Sequence, residues 1–84
     1  MKLTVEISLY PFQPDYVPPI RDFIELLNGH EGLRVTTYPT STVMVGEFDR
    51  VTAVLNEAMK ESCRRFGMSV FVTKFLAGYE ADDA

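Results

Sequence analysis

The chain has 84 residues, with 12 Asp and Glu against 8 Lys and Arg for a net charge of −4, and that length allows one domain. Hydrophobic residues at 46% and charged residues at 24% exclude wholesale disorder, and a pI near 4.8 excludes a general nucleic-acid binder, which needs a basic stripe to displace counterions. So short a chain buries only roughly 60–65% of its unfolded surface, which makes self-association a natural source of further stability.

The first predicted element runs from Lys2 to Tyr10. Leu3, Val5, Ile7 and Leu9 alternate with Thr4, Glu6, Ser8 and Tyr10, the period of two of a half-buried strand. Pro11, Pro14, Pro18 and Pro19 then break the chain into a loop that ends at a helix start, where proline fits the first turn. Ile20, Phe23, Ile24 and Leu27 form one apolar helical stripe, and Asn28-Gly29 supplies the stop. Leu33 to Tyr38 alternates again, with Val35 inward. Pro39-Thr40-Ser41 reads as a hairpin turn, and Thr42 to Glu47 as a third strand with Val43 and Val45 inward. Asp49 is the expected cap of a second helix whose stripe is Val51, Val54, Leu55, Ala58 and Ser62, closed by Gly67. Met68 to Leu76 is the fourth strand. The predicted domain is residues 1–78, followed by an acidic, frayed tail at 79–84.

The order βαββαβ, with right-handed crossovers, predicts an α+β ferredoxin-like sandwich: a four-stranded antiparallel sheet with two helices on one face. If Leu3, Val5, Ile7, Leu9, Val35, Val43, Val45, Val70 and Val72 point toward the helices, parity assigns Glu6, Ser8, Tyr10, Arg34, Tyr38, Thr42, Met44, Phe71 and Phe75 to the open face with Thr4, Thr36 and Thr73. That face mixes rings, hydroxyls and one carboxylate, and is too apolar to be simply solvated. It is expected to pack on another subunit, to hold a small molecule, or both.

Several uses of this fold lack their residues. Cys63 is the only cysteine, so there is neither an internal disulfide nor a thiolate-based metal site, and the Cys-x-x-Cys of metal-carrying relatives is missing. No Lys/Arg-Gly-Phe run of RNA-recognition type occurs. Leu9-Tyr10-Pro11-Phe12-Gln13-Pro14 offers neither the Arg nor the Asn of an acylphosphatase cradle, and the five glycines form no phosphate loop. His30 is the single histidine, which leaves no Ser-His-Asp triad unless it is the base. Met1 to Glu6 has no signal-type apolar stretch and no window approaches a membrane span, so the expected setting is cytoplasmic, without membrane or nucleic-acid partners.

Two segments carry a positive signal. Glu6-Ile7-Ser8-Leu9-Tyr10-Pro11 and Ser41-Thr42-Val43-Met44-Val45-Gly46-Glu47-Phe48-Asp49 resemble the two signatures of the YkoF-like thiamine/hydroxymethylpyrimidine-binding family. The chain has one copy of a module that some members carry twice, so a second would come from another subunit, in a homodimer or homotetramer. The resemblance implies non-catalytic capture of thiamine or its hydroxymethylpyrimidine precursor in uptake or salvage, with no cofactor besides that ligand. The implied ligand residues are Glu6, Ser8, Tyr10, Tyr38, Ser41 and Thr42. Their chemistry agrees: a carboxylate or hydroxyl reads the donor–acceptor edge of an aminopyrimidine, aromatic rings sandwich it, and a thiazolium is met by carboxylate and cation–π contacts.

Each residue also has a plain structural reading. Glu6 pairs with Arg34 across the sheet; Ser8 and Thr42 are ordinary strand hydroxyls; Tyr10 and Tyr38 anchor an interface. Gly46 meets a backbone requirement, His30 is solvated, Cys63 is a small core residue, and Phe71 and Phe75 form a subunit contact. Glu80, Asp82 and Asp83 solubilise the tail. The rival functions are an oligomerising module without a ligand, and a small enzyme using Glu6 or His30 as a base, which the absence of a nucleophile–base pair disfavours.

Overall fold

A computed structural model describes residues 1–82 of the chain, and Asp83 of the predicted tail lies outside the described residues. The elements are β1 (Lys2–Pro11), α1 (Val17–Leu27), β2 (Arg34–Thr37), β3 (Thr42–Glu47), α2 (Phe48–Phe66) and β4 (Ser69–Ala77). The four strands form one antiparallel sheet in the order β2-β3-β1-β4. This is the ferredoxin-like α+β sandwich that the element order predicts.

The helices start and stop for local reasons. Prolines occupy the first turn of α1, where a missing N–H costs nothing. Gly29 and Gly67 both have φ of 82°, a conformation that glycine adopts without steric cost at a helix end. Asp49 is not the cap of α2. Glu47 holds that position without a side-chain hydrogen bond, and Asp49 lies in the first turn, where its charge faces the positive end of the helix.

The core lies between the helices and one face of the sheet. Leu3, Val5 and Ile7 of β1, Met44 of β3, Phe23 and Leu27 of α1, and Val51, Val54, Leu55 and Ala58 of α2 are buried together. The stripe of α2 is as its spacing predicts, Ser62 included. On α1 the buried positions are Pro19, Phe23 and Leu27, while Ile20 and Ile24 lie half-buried at the margin. Arg65 of α2 bridges to Asp22 of α1 at 2.8 Å.

Strand register corrects two of the predicted faces. Val5 is opposite Met44 and Phe75, Ile7 is opposite Thr42 and Thr73, and Leu9 is opposite Phe71. Thr42, Met44, Phe71, Thr73 and Phe75 therefore face the helices, and Phe71 packs on Phe23 with ring centroids 5.1 Å apart. Val43, Val45, Val70 and Val72 line the open face instead. In β3 and β4 both alternating sets contain apolar side chains, so hydrophobic pattern does not choose between them, and a one-residue error exchanges every side chain.

Other side chains also depart from expectation. Cys63 is exposed. His30 is half-buried, with Nε2 2.9 Å from the Leu26 carbonyl. Gly46 does not have positive φ; a Cβ there would come within 2.5 Å of Leu33 Cδ2 and 3.1 Å of the Gly32 carbonyl, so the requirement is space. Nor is the end of the chain frayed at Tyr79–Ala81, which crosses the open face. Gly78 N–H donates to the Lys2 carbonyl at 2.8 Å, Thr4 Oγ1 donates to the Tyr79 carbonyl at 2.8 Å and accepts from Ala81 N–H at 3.1 Å, and Arg34 reaches the Ala81 carbonyl.

Candidate ligand site at the end of β1

Pairing between β1 and β3 ends at Ile7 opposite Thr42, while β1 continues for four more residues beside β4 alone. The four-residue connection Tyr38–Ser41 fills the vacated position beside Ser8. Its turn is closed by Tyr38 N–H donating to the Ser41 carbonyl at 2.7 Å, and Ser8 Oγ donates to the Thr40 carbonyl at 2.9 Å. The hairpin tip is thereby tied to the first strand.

Between that tip, the end of β1 and α1 lies a small crevice of about 80 Å³. Ile7, Leu9, Ile20, Phe23 and Ile24 form its apolar part, and Ser8, Thr37, Tyr38, Ser41 and Thr42 add polar groups. Thr37 and Thr42, opposite one another in the β2–β3 ladder, have hydroxyl oxygens 3.2 Å apart. The crevice shares Leu9, Ile20, Pro39 and Thr40 with an outer groove of about 380 Å³, which is bordered by Tyr10, Gln13 and Tyr16. Water occupies about 30 Å³ per molecule, so the crevice alone holds only a few waters' worth of space. The two together suit a flat heterocycle. Neither is lined by Lys, Arg, His, Asp or Glu.

The six residues expected to bind ligand do not share the open face. Ser8, Tyr38, Ser41 and Thr42 converge on the crevice and Tyr10 borders the outer groove. Thr42 is buried on the helix side. Glu6 stands apart, its carboxylate 3.4 Å from Lys74 Nζ across the open face, and it pairs with Lys74 rather than with Arg34. Thr37, Thr40, Tyr16 and Ile20, which are not among those six, also line the two cavities. Thr37 was accessible from hairpin register, because a four-residue connection sets it opposite Thr42; Tyr16 and Ile20 depend on how α1 lies over the end of β1.

The acidic groups with lowered pKa lie elsewhere. Glu47 is held below the usual carboxylate range by hydrogen bonding and charge from Lys2 and by the N-terminal amine. Glu61 is lowered to about 2 by hydrogen bonds from Arg64 and Arg65. Among the described residues no group of three or more His, Cys, Asp and Glu could hold a metal ion, and no helix is long and apolar enough to cross a membrane.

No protein-family model matches the chain and no curated protein matches it. Solved structures do. Protein SP2199 of Streptococcus pneumoniae superposes with a TM-score of 0.85 at 23% identity, over 94% of this chain and 89% of that one. A candidate thiamine biosynthesis/salvage protein of Thermotoga maritima, TM0486, gives 0.85 at 22% identity over 99% and 92%. A domain of unknown function, DUF77, from Bacillus cereus gives 0.73 at 21% identity over 90% and 75%. At these identities the likeness establishes a shared ferredoxin-like fold over nearly the whole chain, and one of the proteins with that fold is described in terms of thiamine.

Proposed function

We propose that the chain binds thiamine or its hydroxymethylpyrimidine precursor without catalysis, in uptake or salvage, as a member of the YkoF-like family. The site is the crevice and outer groove at the end of β1, not the centre of the open face. The observation that carries this reading is the lining: five serine and threonine side chains, flanking tyrosines and an apolar floor, with no ionised side chain. An aminopyrimidine has a hydrogen-bonding edge and an apolar face, and such a lining matches both. Tyr10 and Tyr16 at the mouth suit a thiazolium through the electron-rich faces of their rings.

The hydroxyl partners also favour binding over reaction. Ser8 donates to a backbone carbonyl and Thr37 and Thr42 contact each other, whereas a nucleophile needs a base within hydrogen-bond reach. His30, the imidazole of the enzyme alternative, borders a different groove between α1 and α2. A ligand-free oligomerising module is the second reading, supported by the apolar side chains of Val43, Val70, Val72 and Leu76 on the open face. Titration calorimetry with thiamine and with hydroxymethylpyrimidine separates the two. Saturable heat with either compound, weakened when Tyr38 is replaced by Ala, supports the ligand; no heat with either at millimolar concentration leaves the module reading.

A further inference from the structure

The two margins of α1 meet different parts of the molecule. Pro19, Phe23 and Leu27 are its buried stripe. At about 100° per residue, Asp22 falls on one margin of that stripe, and Ile20 and Ile24 fall on the other. Ile20, Phe23 and Ile24 form the helical wall of the crevice. On the opposite margin Asp22 Oδ1 accepts a hydrogen bond from Arg65 Nη1 of α2 at 2.8 Å. Arg65 is itself held by Glu61, one turn earlier on α2, which accepts from its Nε at 2.6 Å. Asp22 Oδ2 is buried, with no hydrogen-bond partner among the described residues, so the carboxylate depends on the Arg65 guanidinium.

From this we infer that Asp22 and Arg65 are positioning residues: their bond sets the rotation of α1 about its own axis and thereby holds the crevice open. The apolar contacts of the stripe are non-directional and tolerate a small turn of the helix. A charged hydrogen bond at one margin does not. Without Arg65 the buried carboxylate loses its partner, and the desolvation cost is relieved when Asp22 turns toward water. That turn carries Ile20 and Ile24 the same way round, inward over Ile7 and Leu9. In a crevice of about 80 Å³ the shift of one side chain removes much of the space. The role in recognition rests on the ligand reading; the control of crevice width does not.

Two readouts on the full chain test this: nuclear Overhauser contacts between methyl groups, and calorimetry with hydroxymethylpyrimidine, an uncharged probe insensitive to distant charge changes. Arg65→Met keeps the length of the stem and removes the guanidinium. It should strengthen the contacts of Ile20 and Ile24 with Ile7 and Leu9 and weaken binding by about three- to ten-fold. Adding Asp22→Leu removes the carboxylate that must reach water, and should restore both the contacts and the affinity. Val51→Ala, a core truncation in α2 away from the crevice, should lower Tm and leave both readouts at parent values. Unmoved Ile20 and Ile24 contacts in Arg65→Met overturn the positioning role. So does an equal loss of affinity in Val51→Ala, as expected of general destabilisation. Moved contacts with unchanged affinity overturn the part in recognition. If the parent gives no heat with hydroxymethylpyrimidine or thiamine, the ligand reading falls and recognition with it, while the methyl contacts still decide what sets the crevice.

Discussion

The two ends of β1 make opposite uses of one strand. At its beginning Leu3, Thr4 and Val5 are buried, because the helices cover one face of the strand and Tyr79–Ala81 crosses the other. At its far end Ser8 and Leu9 are half-buried and Tyr10 is exposed, since β3 has already turned away into the hairpin. A small domain has little core to spare. Here one end concentrates it, leaving the other open for recognition.

The largest test of that contrast is a pair of truncations. Leu3→Ala removes a fully buried side chain and should destabilise the protein by about 2–5 kcal/mol. Leu9→Ala, at a half-buried site, should cost clearly less. Urea denaturation of both variants checks this, and equal losses would mean that the open end is as much core as the closed one.

Thr4→Val comes next. It deletes the hydroxyl that donates to the Tyr79 carbonyl and accepts from Ala81 N–H, leaving both backbone groups without that partner. The expected loss is about 1–2 kcal/mol, and amide exchange at Ala81 should accelerate. Unchanged exchange would show that the crossing segment is held by other contacts.

At the open end, Thr42→Val keeps the branched shape that a strand favours while removing one of the crevice hydroxyls. Affinity for thiamine or hydroxymethylpyrimidine should fall by about 1 kcal/mol or more, measured as a smaller ligand-induced rise in Tm. A full rise would take Thr42 out of the site. Glu6→Gln should leave that rise unchanged, because the carboxylate pairs with Lys74 on the open face, and its effect on stability should be within the few tenths of a kcal/mol typical of exposed pairs. A large loss of affinity would relocate the ligand to the open face.

The smallest expected effect concerns Glu47 beside Met1 and Lys2. Its pKa is lowered in the folded protein, so its contribution is present above the ordinary carboxylate value and is lost as pH falls through the lowered one. The Tm difference between the parent and Glu47→Gln should therefore shrink on acidification and vanish below that range. A difference that persists in strong acid would assign the effect to packing.

Much of the architecture was written locally. The alternation in β1, the stripe of α2 from Val51 to Ser62 and the glycines at 29 and 67 each act through neighbours a few residues away, so element order and the ferredoxin-like topology followed from the sequence. Ser8, Tyr10, Tyr38, Ser41 and Thr42 were also legible as belonging near one another, because they flank a strand end and a hairpin turn. The faces of β3 and β4 were not. Val43 and Met44, or Phe71 and Val72, are equally suited to burial, and only pairing with β1 decides which points toward the helices. The same pairing separates Glu6 from Thr42, gives Lys74 to Glu6 and lays Tyr79–Ala81 over Thr4. These are contacts between residues far apart in the chain, fixed by register and by the order of strands in the sheet.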